Sequence, residues 1–427
     1  MKRSTQHSRR TFLKRGAGAF GALFVNSLAS GLPVSFLLNP QRAAAQAQNM
    51  TSQTLILSTS SRGDPLNVNV PGAYREGVTN NPHLETSMAS FGGQRQQAAS
   101  VWCDLPADLR DRLAFFHYSP RTAAHPEYRQ TMTLRGSLKN EAGNGSEMFP
   151  SAVSQLAYTP GYHLQKEPIP LCDSDLTYQS QPLQQINPVD LQSLFDPADG
   201  ALANLRGARD QVLDAMYAEM RVNGNSAQRA FVDRYALSRE QARDLGDQLG
   251  DLLSRLPTDE DDLNNARDQM IAAVALARLK ISPVITINIP FGKDNHQDAD
   301  LRDEEGDTRT GTALIGELWA ELASAGLQDE VSFATMNVFG RRAYRNTRGG
   351  RDHNQHHAVM VAFGAGVNGG VYGGVDAEGR AEAVGSVSAD RTMECAASSM
   401  MRALGHSDQV VQTRIQGAEV HAPFLRS

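Results

Sequence analysis

Along the chain, short runs of β-branched and aromatic residues alternate with stretches whose apolar positions return every three or four residues. Residues 54–59, 113–117, 284–289, 331–336 and 358–363 are runs of the first kind, most of them stopping at a polar or glycine-rich segment, and they predict strands. Residues 267–280 and 310–325 carry the helical period. In the second, Leu314, Ile315, Leu318, Trp319 and Leu322 form one stripe, Glu317 and Glu321 lie off it, and Gly326 stands where a helix-ending glycine belongs. Helices lying between strands predict crossover connections, hence an α/β fold with a mostly parallel central sheet and flanking helices. Ligands gather at the carboxyl ends of such strands, which directs attention to the loops after Thr59, His117, Ile289, Met336 and Phe363. Between about 191 and 256 the chain is charged and rich in Ala and Leu, with Leu202, Leu205, Val212, Met216 and Met220 at helical spacing; this predicts a helical insertion.

The amino terminus reads differently. Ser8-Arg9-Arg10-Thr11-Phe12-Leu13-Lys14 precedes a Gly/Ala-rich run from 16 to 38 and then Ala43-Ala44-Ala45, the layout of a twin-arginine export signal with a small-residue cleavage site. Asn26, Ser27, Ser30 and Pro33 interrupt the run, whereas a spanning helix wants about 20 predominantly apolar residues. The expectation is a signal over 1–45 read by the twin-arginine machinery, a single domain over 46–427, a periplasmic or extracellular address and no stable membrane span after signal removal.

Charge sharpens this picture. The whole chain has 41 basic and 47 acidic residues, but seven of the basic ones and none of the acidic ones lie in 1–45, so the remainder has a formal charge of −13. Such a chain repels polyanions and speaks against a nucleic-acid partner. A small anionic substrate would need a locally positive pocket, which a metal supplies most simply. Three cysteines, Cys103, Cys172 and Cys395, make no disulfide framework; one Cys103–Cys172 bridge and three free thiols both stay open.

The densest set of candidate ligands follows the 284–289 strand: Asp294-Asn295-His296-Gln297-Asp298, where an extended loop would turn Asp294 and His296 to the same side. A second set follows Met336: Asn337, Arg341, Arg342, and then Arg351-Asp352-His353 with His356 and His357. Neutral imidazoles with carboxylates suit zinc or manganese, whereas calcium or magnesium sites are built mostly of oxygen donors. Arg341 and Arg351 are candidates to hold an anion by forked hydrogen bonds. Asp64 and His125 complete the pocket set, Asp64 being also readable as an Asp-Pro turn.

The order of these features, namely the twin-arginine signal, Gly63-Asp64-Pro65-Leu66-Asn67, the Asp-x-His loop, Gly326-Leu327, Phe339-Gly340-Arg341, Gly350-Arg351-Asp352-His353 and Gly364-Ala365-Gly366-Val367-Asn368-Gly369-Gly370, resembles the exported family catalogued as domain of unknown function fifteen-oh-one. The resemblance is strongest from 281 to 374. It implies an alkaline-phosphatase-like fold similar to that of sulfatases, with metals held by Asp and His and a Ser or Thr nucleophile. On that pattern Asp294, His296, Asp352 and His353 match metal positions. Two positions depart from it: Asn337 stands where an acidic residue is usual, and Ala124 where a serine often precedes the histidine. Ser58, Thr59, Ser60 and Ser61 remain as hydroxyl candidates. Two readings follow, a metal-dependent hydrolase of small phosphate or sulfate esters and a non-catalytic exported binding or envelope scaffold. An oxidoreductase is disfavoured because the glycine-rich Gly364-Ala365-Gly366, although it follows a strand, is followed by no helical pattern.

Overall fold

The computed structural model describes residues 54–188 and 265–426, apart from 64, 65, 142, 144–146, 160, 161, 164, 173, 174, 292 and 293, together with 215, 218, 219, 222, 223, 252, 254 and 255. The expected export signal, nearly all of the expected helical insertion, and Asp64 lie outside the described residues.

In chain order the strands are β1 (Thr54–Ser60), β2 (Thr86–Phe91), β3 (Gln94–Ala99), β4 (Ala114–Tyr118), β5 (Ile169–Pro170), β6 (Thr177–Tyr178), β7 (Gln181–Pro182), β8 (Val284–Ile287), β9 (Val331–Asn337), β10 (Gly340–Arg341), β11 (His353–Asn354), β12 (Ala358–Phe363) and β13 (Gly370–Tyr372). Seven of them form the central sheet in the order β13-β4-β12-β9-β1-β8-β5. β1 lies between β8 and β9, parallel to both, and β5–β8 and β13–β4 are also parallel pairs. β12 is antiparallel to both β9 and β4.

That reversal corrects one expectation. A parallel neighbour needs a crossover that carries the chain back across the sheet. Between β9 and β12 there is no helix, only the two-residue β10–β11 ladder, so the chain turns at one rim and re-enters the sheet from that side. The loop after Phe363 therefore leaves at the opposite edge. The loop before Ala358, which carries His353, joins the carboxyl ends of β1, β4, β8 and β9.

The sheet is buried on both faces, so the strands read as continuous apolar runs. In β1, Ile56 points into one core with Phe115, Ile285, Phe333 and Val361, against the helices Ala266–Arg278 and Arg302–Ser324. Leu55 and Leu57 point into the other with Phe116, Ala334 and Met360, against Phe149–Ala157 and Thr392–Ala403. This is the period-two alternation of a strand. The Arg302–Ser324 helix starts eight residues before the expected 310, since its first two turns are polar. Asp298 caps it, accepting from the backbone N–H groups of Asp303 (3.2 Å) and Glu304 (2.9 Å). Gly326 follows its end at φ +69°.

The three cysteines are free, Cys172 and Cys395 buried and Cys103 partly so. Thiol titration of protein unfolded without reductant should count three thiols; a count of one would mean that a bridge forms. No helix among the described residues is long and apolar enough to cross a membrane.

Candidate functional site at the strand-end rim

The two ligand-rich segments, more than fifty residues apart in sequence, lie against one another at this rim. The 349–353 segment crosses the backbone of the 294–299 loop, with Arg351 N–H donating to the Asn295 carbonyl at 3.1 Å. Glycine is needed at 350: a β-carbon there would fall 2.0 Å from the Asn295 oxygen. Asn346 ties the segments together again, its amide donating to the His296 carbonyl (3.1 Å) and to Asp352 (2.9 Å). The β10–β11 ladder then sets Arg341 directly across from His353.

The side chains meet as follows. His296 Nδ1 is 3.0 Å from Asp352 Oδ1. Its Nε2 is 2.9 Å from His353 Nε2 and 3.5 Å from Asp294 Oδ1. His353 Nδ1 is 2.5 Å from the carbonyl of Ala123. The His353 ring stacks on buried Phe339, with centroids 4.1 Å apart, and His125 meets it edge-on at 4.7 Å. His125 Nδ1 lies 2.7 Å from the Ser61 carbonyl. Arg341, fully buried, donates to the Arg62 carbonyl, lies over the Phe339 ring, and holds Nη1 3.7 Å from Asp294.

Hydrogen-bond chemistry fixes the tautomers. A carbonyl only accepts, so Nδ1 of His125 and of His353 must carry the proton. Asp352 is held below the usual carboxylate range, first by the Asn346 amide and then, against some burial, by His296. It is therefore ionised near neutrality and also only accepts, so His296 donates from Nδ1. Each of the three imidazoles is left with its lone pair on Nε2. The Nε2 atoms of His296 and His353 approach to 2.9 Å, a contact that is repulsive between two lone pairs and is relieved by a shared proton or by one metal ion bound to both. Burial pushes the His353 pKa down despite the Ala123 carbonyl, disfavouring the proton there. Asp294 is depressed although burial alone would raise it, because the His296 backbone amide and the Arg341 charge help outweigh burial.

Among the described residues no group of three or more His, Cys, Asp or Glu stands ready-formed around a metal position. The donor set nevertheless suits one: two imidazoles converge with Asp294 next in reach, and each ring is oriented from behind by an acceptor, as metal-binding histidines commonly are.

The expected site residues separate into groups. Asp294, His296, His353, Asp352, His125 and Arg341 are brought together. Asp352, placed among the ligands by its position in sequence, lies on the far side of the His296 ring and orients it. Arg351 is turned away from the rim, its guanidinium buried against Glu304. Asn337 ends β9, paired in register with Ser60, and its carbonyl accepts from Tyr118 Oη. His356 is exposed, whereas His357 turns inward to His117. Phe339, Ala123 and Asn346 complete the site; of these only Phe339 stood in a motif, and a backbone carbonyl leaves no trace in a sequence.

No curated protein sequence matches the chain. A family model described as "Protein of unknown function (DUF1501)" matches residues 180–421, more than half of the length, and takes in the Asp294–His296 loop, Arg341 and the Asp352–His353 pair. The chain belongs to that family.

Proposed function

We propose that this rim is the centre of a metal-assisted hydrolase of small phosphate or sulfate esters, built on an alkaline-phosphatase-like fold and working outside the cytoplasm after twin-arginine export. The observation that carries it is the close approach of two imidazole Nε2 atoms at 2.9 Å, each ring's tautomer set by an acceptor behind it. His296 and His353 would hold a zinc or manganese ion, which would supply Lewis acidity for an ester oxygen and for water. The chain's own groups do the rest. Arg341 places a permanent positive charge beside the imidazoles, where an oxyanion belongs. His125, held by Ser61, offers Nε2 as a proton acceptor.

Water is taken as the attacking group, since three of the four candidate hydroxyls already make a hydrogen bond. Thr59 Oγ1 is bonded to Tyr128 Oη, Ser58 Oγ accepts from the Ile289 amide, and Ser60 Oγ accepts from the Arg62 amide. Metal analysis of protein from its native compartment should find one equivalent of a zinc-group or manganese ion. His353→Ala should lose that ion together with aryl phosphate or aryl sulfate turnover. Protein that takes up no added zinc or manganese and turns over neither ester overturns the reading. It would leave the exported scaffold, which Ala124 and Asn337 favour by removing a hydroxyl and a charge from the pattern.

A further inference from the structure

The loop that follows β4 is held at two points by the first turn of the Thr392–Ala403 helix. Ser119 N–H donates to Thr392 Oγ1 at 2.9 Å. Two residues on, Arg121 donates from Nη2 to Glu394 Oε1 at 2.7 Å, and its backbone N–H donates to the Gln355 carbonyl at 2.8 Å. Glu394 is buried, and the same oxygen also accepts from Ser137 Oγ (2.9 Å) and Arg391 Nη1 (3.1 Å). Arg121 sits at φ +59°, a left-handed conformation that is unfavourable for a non-glycine residue and persists only where its surroundings impose it. Two residues further, Ala123 presents the carbonyl that takes the His353 Nδ1 proton.

We infer that Glu394 is a positioning residue for the rim site: through Arg121 it holds the loop in its strained form, so that the Ala123 carbonyl keeps His353 in the Nδ1–H tautomer with Nε2 directed at His296. Arg121 binds Gln355 as well as Glu394, so one residue ties the loop to the segment just after His353 and to the helix at once. This inference rests on the site reading above for its importance to metal binding, but the tautomer itself is separately observable.

Nitrogen-15 spectra of the imidazoles in the full-length protein, at neutral pH and without added metal, should show His353 protonated at Nδ1. In Glu394→Gln and in Arg121→Ala the Nε2–H form should become substantial, and zinc affinity should fall about 10- to 100-fold, the usual effect of losing an orienting partner. The double variant should show no more than either single one, because both act along one path. A merely structural role would lower the unfolding midpoint and leave the His353 tautomer unchanged, and that result overturns the inference. Arg121→Lys, which keeps a cation without the fork, provides the same readout should Glu394→Gln not fold. If the parent protein binds no zinc, the hydrolase reading fails while the tautomer comparison still decides this one.

Discussion

Exchanging Glu304 for glutamine should lower the stability of the protein by about 3–5 kcal/mol, the effect expected when one partner leaves a buried ion pair and the other stays charged. Arg351 and Glu304 are both fully buried. Arg351 Nη2 lies 3.1 Å from Glu304 Oε1, and its Nε bonds the other oxygen. The remaining guanidinium donors reach the carbonyls of Thr79 (2.7 Å) and Arg342 (3.2 Å). Glu304 in turn accepts from Asn69 (2.8 Å), Asn81 (3.3 Å) and Asn295 (3.3 Å). Five chain segments therefore meet on one carboxylate, and the glutamine variant would leave a guanidinium in the interior without its counter-charge. Urea unfolding measures the loss. A change below about 1 kcal/mol would show that the pair does not brace the fold. As a contrast, Glu317→Ala breaks an exposed contact with Arg267 and should stay within about 0.5 kcal/mol of the parent.

The second large effect is acid lability. Desolvation by burial pushes His117 and His406 down to about 4, and His357 well below its ordinary range, from a model-peptide value of 6.5. Within the dyad, the Pro71 carbonyl accepts from His117 Nε2 and the two rings share one hydrogen bond of 2.8 Å, so the folded state holds both rings neutral. The unfolded chain takes up protons at about 6.5 while the native one does not, so the unfolded state binds more protons as pH falls from 6.5 toward 4, and stability falls across that window. For His117 and His406 the loss is roughly 3 kcal/mol each at 1.36 kcal/mol per pH unit. The carboxylates held below their ordinary range, Asp294 and Asp352 among them, add losses of the same sign at lower pH. Unfolding free energies at pH 7, 5.5 and 4.5 should drop steeply, and His406→Leu should remove part of the slope. A flat profile between 7 and 4.5 would contradict the burial of these rings as neutral groups.

The legibility of this protein from its residues is uneven for identifiable reasons. Five of the seven strands of the central sheet were readable because each is a run of apolar, β-prone residues; β5 and β13, two and three residues long, carry no period to read. The β2–β3 hairpin escaped because Gln94-Arg95-Gln96-Gln97 is polar throughout, alternating half-buried and exposed positions. The Asp294–His296 and Asp352–His353 pairs stood out by residue type. Their division of labour did not, because which side of an imidazole a carboxylate occupies depends on the crossing of two loops at Gly350. Arg351 illustrates the same limit. As a sequence position it is one more loop arginine, and only the arrival of Glu304 from a helix start 47 residues earlier turns it into an interior brace.

By itself the sequence determined the strands and helices with strong local periods, the helix stop at Gly326, and the residue types able to hold a cation or an anion, since periodicity and donor chemistry are properties of neighbouring residues. Tertiary structure decided the reversed direction of β12, the tautomers of His125, His296 and His353, and the burial of Arg351 and His357. Each of these depends on groups far apart in sequence, whose meeting is settled by how backbones cross and which acceptors those crossings present.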